Sequence, residues 1–202
     1  MNHVCVLLHG IECDPKDRIW SEEVEAKFQP GTFIRLMARK YGDVGAFGVW
    51  FSAFARRRVV DHEEAYFRCL QDDLGLDGRI SVVGHSLGGY IVTALLKRGI
   101  KFYKIAHLWG STVSNFNWRK VEDDFTAARV YWSPEDEVLT ESSVATDEDP
   151  ELGLGLMGKE GPRRKHPSVE PIKTNWTHNQ FMDYTHENDE FWLDIFEWME
   201  VT

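Results

Sequence analysis

The sequence predicts an α/β fold: three layers, α/β/α, around a mostly parallel sheet of about six strands. Three features lead there. Apolar runs of strand length recur along the 202 residues. Segments whose apolar residues repeat at helical spacing lie between several of them. Strands alternating with helices imply parallel pairing, because a parallel pair needs a long crossover whereas an antiparallel pair needs only a short turn.

Val4 to Leu8 is a continuous apolar run, as expected of a strand covered on both faces, and His9-Gly10 ends it. Ile19, Trp20, Val24 and Phe28 form a helical stripe within residues 16–28, stopped by Pro30-Gly31. Thr32 to Lys40, between two helices, is expected to be a strand. Asp61 to Leu74 is expected to be a helix with Ala65, Cys69 and Leu70 inward. Arg79 to Val83 is a second buried strand, and Leu87 to Lys97 a helix ended by Gly99. Tyr103 to Trp109, Ala127 to Trp132 and Glu170 to Trp176 are further strands. Residues 134–168, rich in Gly, Pro and charge, are expected to be a long loop. Asn188 to Val201 is an amphipathic helix with Phe191, Trp192, Ile195, Phe196 and Met199 inward. No repeat and no composition break divides the chain, so residues 1–202 are expected to form one domain.

Hydrophobic residues make up 43% of the chain, enough for a core, and the formal net charge is −10. That charge repels phosphate backbones and anionic lipid, so nucleic acid is not an expected partner. Two basic runs oppose the trend, Arg56-Arg57-Arg58 and Arg163-Arg164-Lys165. The plain reading is solvated loop charge; the sharper one is a local site for an anionic group. Cys5, Cys13 and Cys69 make no disulfide framework, and Cys5 is expected to be buried. No stretch reaches membrane-spanning length, and the first apolar run is too short for a secretion signal. A cytoplasmic location is the expectation.

Residues 84–88 read Gly84-His85-Ser86-Leu87-Gly88, the pattern G-x-S-x-G. Chance alone gives it in roughly 7% of chains of this length, so context decides. Here it follows the strand Ile80-Ser81-Val82-Val83 and opens the helix that begins near Tyr90. A serine held on such a sharp strand-to-helix turn crowds the residues two before and two after it, and only small ones fit. The helix N-terminus beside it favours a developing negative charge.

On these residues the chain resembles the α/β-hydrolase superfamily, in a minimal form without a lid domain. The resemblance implies Ser86 as nucleophile, followed in order by an acid and a histidine, each after a later strand. The acid candidate is Asp136, in the turn after Arg129-Val130-Tyr131-Trp132, flanked by Glu135 and Glu137; the alternative is an ordinary turn-capping aspartate. The histidine candidates are His166, His178 and His186, and His178 fits best because it follows the last expected strand. The resemblance implies an oxyanion hole of backbone N–H groups: Leu87, plus Ile11 or Gly10 from the His9-Gly10 turn.

The expected reaction is cleavage of an ester-like bond through an acyl-enzyme on Ser86, with His178 as base and Asp136 holding the imidazole. No cofactor or metal is required; His62-Glu63-Glu64 lacks the second histidine of a zinc helix. Gly153, Gly155 and Gly158 match a dinucleotide pattern by letters only, far from any first strand-to-helix turn. Only about 17 residues separate the strands ending near Trp109 and starting near Ala127, too few for a lid domain. The expected substrate is therefore a small acyl ester or an acylated partner, and loop 140–168 is a candidate flap. The rival reading is a binding protein of the same fold without activity.

Overall fold

The computed structural model describes residues 2–10, 20–29, 34–39, 52–141, 154–180 and 186–201. In chain order the strands are β1 (His3–Leu8), β2 (Arg35–Arg39), β3 (Arg79–His85), β4 (Phe102–Leu108), β5 (Phe125–Trp132) and β6 (Val169–Lys173). The α-helices are α1 (Trp20–Phe28), α2 (Ala53–Leu74), α3 (Leu87–Lys97), α4 (Glu137–Glu141), α5 (Met157–Glu160) and α6 (His186–Glu200). A 3₁₀ segment spans Trp118–Asp124. The six strands form one sheet in the order β2-β1-β3-β4-β5-β6. Every pairing is parallel. The expected three-layer α/β/α architecture with a mostly parallel sheet is the one observed.

The order explains which helix covers which face. A right-handed crossover places its helix according to the direction of travel across the sheet. The chain steps one way from β1 to β2 and the other way from β2 to β3 to β4, so α1 lies on one face and α2 and α3 on the other. Val4, Val6 and Leu8 of β1 join α2 and α3 through Val59, Val60, Phe67, Ile91 and Leu95. Cys5 and Leu7, pointing oppositely on the same strand, join Trp20 and Val24 of α1 and Ile195 and Phe196 of α6. Each wholly buried large apolar side chain contributes roughly 1.5–3 kcal/mol of transfer free energy, so both faces drive the fold.

Helix α2 starts eight residues before the expected Asp61. Ser52 caps it by accepting the Ala55 N–H at 3.2 Å, and Gly75, at φ 69°, ends it. Arg56-Arg57-Arg58 therefore stand on a helix and not in a loop. The inward face also differs from expectation: Ala65 and Cys69 are exposed and Leu70 half-buried. The buried face is Val59, Val60, Glu63 and Phe67. Glu63 is tolerated there because the Arg39 guanidinium donates to it at 3.0 Å.

The stretch 154–163, expected as loop and candidate flap, is built into the body. Gly155, Met157 and Gly158 donate to the carbonyls of Ser111, Thr112 and Gly110, and Arg163 donates to that of Ser114. Leu154 and Met157 are buried. Of the rest of the candidate flap, 140–141 end α4, 164–168 lead into β6, and 142–153 lie outside the described residues. Among the described residues, no helix is long and apolar enough to cross a membrane.

His107 of β4 is wholly buried, and its ring fills the space that Gly89 and Gly110 leave; a Cβ on Gly110 would sit 1.8 Å from Cε1. Burial pushes its pKa down from 6.5 to about 4. The folded ring stays neutral where the unfolded one takes up a proton. The stability it contributes is whole above pH 6.5, shrinks as pH falls toward about 4, and shrinks no further below that. Urea unfolding at pH 7 and pH 4.5 is expected to show a drop that His107→Gln reduces by about 2 kcal/mol. Equal drops in both proteins would sink this assignment.

Candidate active site

Residues 9, 10, 86, 111, 136 and 178 leave the sheet at one edge. His9-Gly10 follows β1, Ser86 follows β3, Ser111 comes just after β4, Asp136 just after β5 and His178 after β6. In an all-parallel sheet the strand C-termini share an edge, so this gathering is a consequence of topology.

Ser86 stands at φ 53°, ψ −117°, a backbone conformation that side chains rarely adopt. Such a residue costs on the order of 1–3 kcal/mol and persists only where its surroundings fix it. They do so here through backbone hydrogen bonds. Ser86 N–H donates to the Leu108 carbonyl at 3.1 Å, and the Ser86 carbonyl accepts from Gly89 at 3.0 Å and Ser111 at 2.9 Å. The flanking glycines are sterically required. A Cβ on Gly84 would lie 2.8 Å from the Gly88 carbonyl oxygen, and one on Gly88 would lie 2.4 Å from that of Leu8. Beside the serine, Gly10 packs so closely that a Cβ would meet Ser86 Cβ at 2.9 Å. Leu87 opens α3, where first-turn amides have no partner within the helix. Ile11, the other amide expected at this place, lies outside the described residues.

Asp136 is fully buried. Its Oδ1 accepts the Leu139 N–H at 3.0 Å, in the manner of a helix-capping aspartate, and its Oδ2 takes His178 Nδ1 at 2.7 Å. One oxygen thus caps the turn and the other holds the His178 ring. A buried carboxylate is costly unless it is paired, and these contacts offset the cost. His178 itself is 5% exposed. Trp176, two residues before it, stacks on Trp109 at 6.0 Å and anchors the segment to the end of β4.

Two neighbours were not legible as site residues. His85 Nε2 donates to the His178 carbonyl at 3.1 Å, and the two rings lie 4.8 Å apart. Burial, and then the neighbouring His178, hold the His85 pKa well below its ordinary value, so this ring is a neutral Nε2–H donor. Ser111 Oγ lies 3.4 Å from Ser86 Oγ, the hydrogen bond this hydroxyl makes among the described residues. The structure therefore joins Asp136 to His178 directly, and His178 to the Ser86 turn through His85. His166 is elsewhere, its Nε2 3.4 Å from Glu122. His186 opens α6. Among the described residues no group of three His, Cys, Asp or Glu side chains is placed to hold a metal ion.

Solved structures share this fold. An esterase from Pyrococcus furiosus matches with a TM-score of 0.63 at 12% identity, over 98% of this chain and 81% of that one. The hormone-sensitive-lipase homologue EstE7 from a metagenome library matches with a TM-score of 0.61 at 15% identity, over 98% and 78%. A protein from Xanthomonas campestris pv. campestris, titled a putative hydrolase of the alpha/beta superfamily, matches with a TM-score of 0.59 at 12% identity, over 96% and 98%. No curated protein matches. A family model described as "Putative serine esterase (DUF676)" matches residues 1–117, which hold β1, the Ser86 turn and Ser111. The chain belongs to that family, and its fold is the one these structures share.

Proposed function

We propose that the chain is a serine hydrolase that cleaves an ester-like bond, carboxylester or thioester, through an acyl-enzyme formed on Ser86. His178 serves as general base and acid, and Asp136 orients it. The observation that carries this reading is the buried 2.7 Å hydrogen bond between Asp136 and His178, at the sheet edge where β3 ends in a positive-φ serine. A purely structural aspartate has its cap at Leu139 and needs no imidazole. The description of the family as serine esterases, and the esterases among the structural neighbours, point the same way.

With Nδ1 turned to Asp136, Nε2 is the nitrogen left to take the Ser86 proton. Attack requires the Ser86 hydroxyl to turn from Ser111 toward that nitrogen, an adjustment apo sites commonly need. Ser86 Oγ attacks the carbonyl carbon, and the amides of Leu87 and of the residue 10–11 turn take the oxyanion, each worth about 3 kcal/mol. The tetrahedral centre collapses, the bond to the leaving alcohol or thiol breaks, and the His178 proton goes to that group. Water, deprotonated by His178, then releases the acid and restores Ser86. The chemistry uses only side chains and backbone amides, and it suits a small acyl ester or an acylated partner.

A fluorophosphonate probe is expected to label wild type on Ser86 and to leave Ser86→Ala unlabelled. p-Nitrophenyl ester hydrolysis is expected to fall at least about 10³-fold in that variant. Turnover that survives the substitution removes Ser86 from the mechanism, and absence of labelling in wild type favours a binding protein of this fold. Asp136→Asn presents an N–H donor where Oδ2 accepts; kcat is expected to fall by about 10³- to 10⁴-fold with little change in KM. A variant within tenfold of wild type would count decisively against the assigned role.

His85 is a positioning residue in this scheme. His85→Leu is expected to lower kcat about tenfold at constant KM, and His85→Gln, which keeps a donor, to recover most of it. Equal kcat in the two variants would show that the bond to the His178 carbonyl is not used.

A further inference from the structure

The two basic runs that oppose the chain's acidity are far apart in sequence, and the fold brings one residue of each, Arg57 and Arg164, to one cavity. It measures about 850 Å³ and runs along α3 between α2 and the 113–124 segment. Among the described residues, Arg57, Lys97, Arg98, Lys120 and Arg164 line it, against a single acid, Asp124. A neighbouring cavity of about 390 Å³ shares Asn117 and Arg164 with it, and adds Arg119 and Lys165 with no carboxylate.

Part of this charge has a structural explanation. Lys97 and Arg98 stand at the C-terminal end of α3, where cations complement the helix dipole. Arg98 also pairs with Asp61 and Glu64, at 2.7 Å each. Three cations remain, each from a different segment: Arg57 from α2, Lys120 from the 3₁₀ segment and Arg164 from the stretch before β6. Their side chains make no hydrogen bond or ion pair among the described residues. A chain with 33 acidic and 23 basic residues has carboxylates to spare for surface pairs, yet among the described residues these three line one cavity without such a partner. The cavity is also part apolar, with buried Val60, Tyr90, Val113 and Phe116 in its wall.

We propose that this cavity is a binding site for a phosphate-bearing amphiphile, its head group held by Arg57, Lys120 and Arg164 and its apolar body laid against Tyr90, Val113 and Phe116. Phosphate is preferred to carboxylate because its higher charge is spread over three oxygens that face several directions, which suits cations arriving from three segments. The volume is that of a small-molecule pocket. A polyanion is disfavoured because the rest of the chain, at −10 overall, repels it. The site does not depend on Ser86 being a nucleophile.

The test is isothermal titration with decyl phosphate below its micelle concentration. Wild type is expected to bind one molecule, at least tenfold tighter than decyl glucoside or inorganic phosphate, and more weakly as salt rises. Arg57→Glu with Arg164→Glu is expected to weaken binding at least tenfold, and Lys120→Glu alone to weaken it measurably. All three side chains are exposed, and an unchanged melting temperature checks the fold of each variant. Ser86→Ala is expected to bind like wild type, and the charge-reversed variant to keep its fluorophosphonate labelling, which separates this site from the catalytic reading. Equal affinity for decyl phosphate and decyl glucoside overturns the head-group assignment. Inorganic phosphate binding as tightly as decyl phosphate overturns the apolar one. Binding to phosphatidylglycerol vesicles without binding of the monomer makes the patch a membrane contact and overturns both.

Discussion

Parallel pairing of β3 with its neighbours is the constraint on which the rest of this molecule depends. It aims the C-terminus of every strand at the same edge, so groups contributed by residues 10, 86, 111, 136 and 178 meet without any local sequence relation. The pairing also builds the serine turn itself. Leu108, the last residue of β4, supplies the carbonyl that holds Ser86 N–H, and Leu8, the last of β1, supplies the carbonyl against which Gly88 packs. A strained φ at Ser86 is stable because two neighbouring strands end at the right level to trap it. If the register of β4 slipped by one residue, its faces would exchange and the Leu108 carbonyl would leave Ser86.

The second requirement is electrostatic. Asp136 and His178 are both buried, and burial penalises charge. The carboxylate is held by a backbone amide and an imidazole, two donors matched to its two oxygens. His85 adds a neutral ring whose N–H fixes the backbone of the residue that must stay put. In the proposed reaction His178 becomes cationic; a charged His85 4.8 Å away would oppose that, and its deep burial keeps it uncharged. The motif position between Gly84 and Ser86 is thus filled by a residue that orients without repelling.

What could be read in the sequence was whatever is encoded locally. Apolar runs such as Val4–Leu8 and the glycine spacing around Ser86 carry their own physics, and Leu87–Lys97 is helical from end to end as expected. The first two turns of α2 were hidden because Arg56-Arg57-Arg58 interrupt the apolar period, although Ser52 three residues before Ala55 was a legible cap. The face of α2 was misjudged because Ala65 and Cys69 are small and fit either side, whereas Phe67 and Val60 decide the packing by volume. Ser111 and His85 had no pattern of their own. Ser111 could have been found by asking which polar residue follows each parallel strand, since topology delivers all of them to one edge. The packed stretch 154–163 was invisible because its partners, residues 110–114, lie some forty positions away and pair through backbone atoms that side-chain chemistry does not reveal.

Helix α3 connects the two ends of this account. Its first amide lies beside the serine, and its last residues, Lys97 and Arg98, stand at the basic cavity. Eleven residues at 1.5 Å each make a separation of about 16 Å. The cavity lies along that length, lined by Tyr90 near the start of α3 and by Lys97 at its end. That spacing leaves two physical relations between the sites. A long substrate would lie along α3 with its head fixed and its reactive bond at the serine, so that head-group binding energy positions the carbonyl. A separate ligand would instead act only by favouring one arrangement of α3 against α2, and would influence the serine only as far as the two arrangements differ in affinity for it. The first relation makes the length of the substrate a determinant of kcat, and the second makes it irrelevant.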